Sequence, residues 1–122
     1  MQFGVAIDTM RSRYTLDERD WKPMLIGDTQ LDGFSWIPLG ADESGAWESY
    51  WMRLDAGARS PLHLHHATEL LYVADGVFSD SDGVDYRTGD VALYATGSRH
   101  ASFSEKGCLV LVVTRKSSEI DE

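Results

Sequence analysis

The stretch Gly57-Ala58-Arg59-Ser60-Pro61-Leu62-His63-Leu64-His65-His66-Ala67-Thr68-Glu69-Leu70-Leu71-Tyr72-Val73-Ala74-Asp75-Gly76 holds three of the chain's four histidines. Successive side chains of a β-strand point to opposite faces. A strand near 61–65 therefore puts His63 and His65 on one side, with their Cα atoms about 6 to 7 Å apart, and Leu64 on the other. Two imidazoles so placed converge on one ion from one wall. After the turn at His66-Ala67-Thr68, Glu69 opens the run Leu70-Leu71-Tyr72-Val73 and brings a carboxylate toward the same point. Two imidazoles and a carboxylate make a facial metal-binding set.

The fourth histidine, His100, ends Gly89-Asp90-Val91-Ala92-Leu93-Tyr94-Ala95-Thr96-Gly97-Ser98-Arg99-His100. Gly97 permits a tight turn before it, and His100 is the natural fourth ligand. Around these blocks the chain divides into short apolar or alternating runs. They are punctuated by Gly, Asp, Ser and Pro clusters such as Asp32-Gly33, Pro38-Leu39-Gly40 and Ser79-Asp80-Ser81-Asp82-Gly83. This pattern predicts strands near 33–38, 46–54, 61–65, 69–74, 77–79, 83–87, 90–94, 99–104 and 108–114, with no helical period. Many short strands with frequent turns make an all-β sandwich or barrel, and periodicity alone does not choose between them.

The run from Trp47 to Leu54 is partly apolar on both faces, so it is read as covered on both sides, with a partner subunit as one candidate cover. Residues 1–20 carry no burying period and read as an arm or a short edge strand. The polar end, 116–122, reads as a second arm. The chain of 122 residues is expected to be one domain.

Composition excludes several classes. Twenty Asp and Glu stand against eleven Lys and Arg, a net charge of -9, and the basic residues are scattered, which argues against nucleic acid and anionic membranes as partners. No apolar run is long enough to span a bilayer, and no secretion signal is visible, so a cytoplasmic location is expected. Cys108, the only cysteine, excludes an intramolecular disulfide and heads an apolar run as a buried small hydrophobe.

The first block resembles the first motif of the cupin superfamily, G-x5-H-x-H-x3-E-x6-G, at Gly57, His63, His65, Glu69 and Gly76. The second resembles the second motif, G-x5-P-x-G-x2-H-x3-N, at Gly89, Gly97 and His100, with Ala95 in place of Pro and Ser104 in place of Asn. Those departures touch turn rigidity rather than ligation. The resemblance covers roughly 57–104, as two metal motifs at 57–76 and 89–104. It implies a double-stranded β-helix, or jelly-roll barrel, holding one divalent metal ion on His63, His65, Glu69 and His100.

The segment from Val73 to Asp80, with Tyr86, Gly89, Gly97-Ser98-Arg99-His100 and Gly107-Cys108, is similar to the ChrR-type cupins. Relatives in that branch include acetylacetone and dihydroxyacetophenone dioxygenases and the C-terminal domain of ChrR-type anti-sigma factors. The implied activity is an Fe(II)-type dioxygenase cleaving a C–C bond of a small diketone or hydroxyketone. The alternatives are a non-catalytic metal-binding sensor or ligand-binding module, and a metal-dependent lyase or isomerase. Zn, Mn or Ni suit the same ligands.

Other candidates carry weaker signals. Alternation turns His66 away from His65 and puts Arg99 on the outer face. Tyr72, Tyr94 and Phe103 either line the metal pocket or fill the core. His66, Arg53 and Arg59 are the candidates for a sugar-modifying site, an epimerase or isomerase. Trp21, Trp36, Trp47 and Trp51 are many tryptophans for this length and point to a homodimer interface.

Overall fold

The computed structural model describes Gly4, residues 9–115 and the backbone of Glu119 and Ile120. Apart from one helical turn, Glu18–Asp20, its regular structure is β. The strands are β1 (Lys22–Ile26), β2 (Thr29–Ala41), β3 (Glu48–Leu54), β4 (Ala58–Arg59), β5 (His63–Leu64), β6 (Glu69–Asp80), β7 (Asp85–Arg87), β8 (Val91–Tyr94), β9 (Arg99–His100), β10 (Ser102–Ser104), β11 (Cys108–Thr114) and β12 (Glu119–Ile120). A nine-stranded sheet runs β1-β2-β3-β11-β6-β10-β4, with β7 and β8 also paired to β6, and a second sheet is β12-β5-β9. All these pairings are antiparallel. The fold is the all-β cupin barrel that the two motifs imply.

Period-2 alternation explains the core. Tyr50, Met52 and Leu54 from β3, Leu71 and Val73 from β6, and Val110 and Val112 from β11 all face inward and are buried. Each fully buried aliphatic side chain contributes about 1.5 to 3 kcal/mol. Strand β6 carries one irregularity with large consequences. Leu109 of β11 faces Asp75 and Val110 faces Val73, so Ala74 is an extra residue on β6. Such a bulge reverses the phase of the alternation. Glu69, Leu71 and Val73 point inward before it, and Phe78 and Asp80 after it.

The sequence expectation separated 69–74 from 77–79, whereas the strand runs continuously through the bulge. The 61–65 strand shrinks to His63–Leu64, and 99–104 divides into β9 and β10. Strand β1 was not among the expected strands; its Pro23, which cannot donate to a ladder, is tolerated because β1 is the edge of the sheet. The carboxyl-terminal arm also needs correction in part, since the backbone of Glu119–Ile120 pairs with His63–Leu64.

The outer face of β3 is covered from within the chain. Glu18 pairs with Arg53 at 2.8 Å. The Arg53 guanidinium lies 4.3 Å from the Trp21 ring centroid, and Arg13, Tyr14 and Trp21 line a groove with Ile37, Pro38 and Trp51. Trp36 sits edge-on to Tyr50 with centroids 5.6 Å apart and packs against the core. Trp21 and Trp36 thus have partners within the chain, and Trp51 lines the groove.

Candidate metal centre

Three cross-strand pairs build the site. His63 of β5 lies directly opposite His100 of β9. Glu69 of β6 is opposite Tyr94 of β8, and Asp80, at the other end of β6, is opposite Ser102 of β10. His65 follows β5 and is clipped by two backbone bonds, its N–H to Ser98 O at 2.9 Å and its C=O accepting from Gly97 N–H at 2.8 Å. Gly97 makes this clip possible by turning at φ 91°, where an L side chain is strained.

His63, His65 and His100 are all buried, with ligand atoms within 4.8 Å of one another. The Nε2 atoms of His65 and His100 are 2.7 Å apart. His63 Nδ1 donates to the carbonyl of Pro61 at 2.9 Å, and His100 Nδ1 donates to Asp80 Oδ1 at 2.8 Å. A carbonyl and a carboxylate only accept, so these partners place a proton on Nδ1 of both rings, and in the neutral imidazole the lone pair is then on Nε2. Burial pushes the pKa of His63 down to about 4, against the raising effect of the Pro61 carbonyl, so this imidazole is neutral near pH 7. A convergence of imidazole lone pairs suits a divalent cation, and the donor set fits the metal that the motifs imply.

Behind two of the rings stands a carboxylate. Glu69 Oε2 lies 3.3 Å from Nδ1 of His65. Asp80 accepts from His100 through Oδ1 and from the Tyr94 hydroxyl through Oδ2, the latter at 2.8 Å. Burial and the Asp80 carboxylate push the Tyr94 phenol far above its ordinary pKa, so it stays a donor. The Tyr94 ring stacks on His65 at 5.2 Å with an interplanar angle of 12°. A carboxylate on the far nitrogen of a metal-binding histidine fixes the ring and raises its basicity.

Glu69 shares the wall of a cavity with His63 and His100. The cavity, about 40 Å³, is lined mainly by apolar residues including Met24, Leu31, Phe34, Tyr50, Met52 and Phe78, with Ser60 and Ser102 also in its wall. The structure brings the three histidines together and sets Glu69 against them.

Of the other candidates, His66 and Arg99 are exposed, as alternation implied. Tyr72 is on the outer surface, and Phe103 lies under the Arg59 guanidinium at 5.0 Å, so of the three aromatics only Tyr94 reaches the centre. Arg53 is engaged on the outer face. Cys108 is buried, and burial raises its thiol pKa, as expected of an inert thiol.

Asp80 was missed. Its setting, Ser79-Asp80-Ser81-Asp82-Gly83, reads as turn punctuation, and strict alternation from Glu69 points residue 80 outward. The bulge at Ala74 reverses that.

Antiparallel strands closing over a buried trio of histidines define a cupin with a candidate mononuclear metal centre. Residues 10–118 match the ChrR cupin-like domain, and the chain belongs to that family. No curated protein sequence matches it.

Among solved structures, it is similar to an acetylacetone dioxygenase from Acinetobacter johnsonii, at 13% identity and a TM-score of 0.74, covering 93% of this chain and 79% of that one. It is also similar to the polyketide cyclase RemF from Streptomyces resistomycificus, at 15% identity and a TM-score of 0.69, covering 91% and 87%. The Rhodobacter sphaeroides complex of SigE with the anti-sigma ChrR matches at 25% identity and a TM-score of 0.64, covering 80% of this chain and 49% of that one. Among the described residues no helix is long and apolar enough to cross a membrane.

Proposed function

We propose that the chain is a metal-dependent cupin of the dioxygenase type, acting on a small diketone or hydroxyketone with C–C bond cleavage. The observation that carries this reading is the convergence of three buried imidazoles, two of which, His63 and His100, also line an apolar cavity and have their Nδ1 atoms held by partners of their own. His63, His65 and His100 would hold one divalent ion, with Glu69 as the fourth donor from the same cavity wall. When bound, such an ion acts as a Lewis acid and, as Fe(II), supplies electrons to O2.

The chain's own residues do the rest. Asp80 holds the His100 ring and is itself held by Tyr94. Met24, Phe34, Met52 and Phe78 give the cavity an apolar wall, and Ser60 and Ser102, whose hydroxyls lie 3.3 Å apart, are its small polar part. The fold shared with the Acinetobacter johnsonii acetylacetone dioxygenase is compatible with this chemistry.

The cavity size favours a second reading. About 40 Å³ holds a few water molecules, far less than the several hundred cubic ångströms of an ordinary ligand pocket. A centre with so little room beside it suits a non-catalytic metal-binding module such as a sensor.

Elemental analysis of untagged protein purified without added metal, followed by O2 uptake on β-diketones and aryl hydroxyketones after anaerobic Fe(II) loading, separates the two. Iron near one per chain with uptake supports the dioxygenase. Tightly held zinc with no uptake supports the binding module.

A further inference from the structure

A second hollow lies on the opposite side of the sheet from the metal cavity. Ile37 of β2 is directly opposite Trp51 of β3, and both line it, whereas Tyr50 and Met52, the neighbours of Trp51, line the metal cavity. The segment from Arg13 to Lys22 lies against this outer face, and the two form a groove of about 440 Å³. That is roughly ten times the room beside the histidines, and it falls within the several hundred cubic ångströms of an ordinary small-ligand pocket.

The segment is held at several points. Glu18 pairs with Arg53 at 2.8 Å, the Arg53 guanidinium lies over the Trp21 ring, and the Trp36 indole N–H donates to the Pro23 carbonyl at 3.2 Å. The walls so fixed are of two kinds. The rings of Tyr14, Trp21 and Trp51 stand with Ile37, Pro38 and Leu39, and the charged residues are Arg13, Arg19, Lys22 and Asp20. Asp17 takes up the Arg19 guanidinium at 2.7 Å. Three cations against the two carboxylates leave one positive charge here, on a chain whose net charge is -9. The buried indole N–H of Trp21 has no acceptor among the described residues, and buried donors are seldom left so.

The geometry points to this groove as the binding site of a small aromatic carboxylate. The flat body of such a ligand stacks on the rings. Its single charge matches the surplus, where a phosphate dianion exceeds it, and its oxygens accept from the Arg13 guanidinium and the Lys22 ammonium. An anion is drawn to this place because the rest of the surface is acidic and the groove is not. The site is separate from the metal centre and depends on nothing that the centre holds.

Isothermal titration calorimetry of the full chain with cinnamate tests this, alongside the neutral cinnamyl alcohol. One cinnamate per chain is expected, with the alcohol about ten-fold weaker and the combined Arg13→Gln and Lys22→Gln variant weaker by about the same factor. Both positions are exposed, and circular dichroism checks that the fold is kept. In heteronuclear NMR spectra the indole N–H signals of Trp21 and Trp51 are expected to shift, and that of Trp36, which packs against the core, to stay. Equal affinity for acid and alcohol, or undiminished affinity in the variant, overturns the proposal and makes the groove an apolar surface only. Binding that disappears when a chelator is added, with the fold intact, places cinnamate at the metal centre and overturns it too. No uptake at millimolar cinnamate overturns it in favour of a protein segment as the occupant.

Discussion

The two ends of β6 each place a carboxylate behind an imidazole, and they do so in different ways. At the first end Glu69 opens the strand, 3.3 Å from His65 Nδ1 and on the cavity wall. At the far end Asp80 closes it, 2.8 Å from His100 Nδ1, with its second oxygen taken by Tyr94. Glu69 has an oxygen to offer an ion, whereas both oxygens of Asp80 are engaged by hydrogen bonds. The same strand therefore supplies a donor at one end and a support at the other, and the Ala74 bulge between them lets both point inward.

The largest expected effect lies on the ring that Glu69 flanks. His65→Ala should retain no metal through gel filtration, whereas His66→Ala should bind one ion per chain as the wild type does. Metal content by elemental analysis checks both, and equal loss from the two variants would discredit the choice of ligands. Glu69→Gln should follow, with metal affinity lowered about 100-fold or more, because it removes an anionic donor. Competition with a chromophoric chelator measures it.

The bulge itself can be broken at Gly76. Its φ is +85°, and an added Cβ would sit 2.4 Å from the Gly107 carbonyl oxygen and 2.9 Å from Cys108 Cα. Gly76→Ala is thus both strained and obstructed by backbone, and it should lower the unfolding free energy by about 3 kcal/mol in urea denaturation. A change below about 1 kcal/mol would show that β6 and β11 separate there at little cost, and that the phase of the far end is not held from this point.

Much of the Glu69 end was legible in the sequence. His63, His65 and Glu69 have motif spacing, and alternation alone puts the two histidines on one side. The approximate positions of most strands were legible too, because Gly and Asp clusters punctuate them. The Asp80 end was not. An aspartate among Ser, Asp and Gly has the composition of a turn, and a one-residue bulge shifts every later side chain to the opposite face. That Ala74 carries the bulge depends on how β11 lies against β6, a contact between residues far apart in the chain. The outer placement of Leu70, Tyr72, Val91 and Leu93 was hidden for a similar reason. They look like core residues until cross-strand register puts all four on the same outer side.

Asp80→Asn sharpens the contrast between the ends. The amide still fills the space but no longer presents an anion to His100. Metal affinity should fall 10- to 100-fold, less than for Glu69→Gln, with the metal stoichiometry at saturation unchanged. A larger loss from Asp80→Asn than from Glu69→Gln would reverse the two assignments and make Glu69 the supporting residue.

Tyr94→Phe is the smallest perturbation and separates the support from what it supports. The hydroxyl donates to Asp80 Oδ2, and its loss leaves that buried oxygen without this donor, which costs about 1 to 2 kcal/mol of stability. The bond from His100 to Oδ1 remains, and the phenyl ring still stacks on His65, so metal affinity should drop by no more than a few-fold. Because burial keeps the phenol protonated well past pH 10, the wild-type protein should show no loss of this donor at that pH. Thermal denaturation paired with chelator competition tests the variant. If it instead loses as much affinity as Asp80→Asn, Tyr94 acts on the centre through its contact with the His65 and His100 rings, and Asp80 is not the only route from this end of the strand to the histidines.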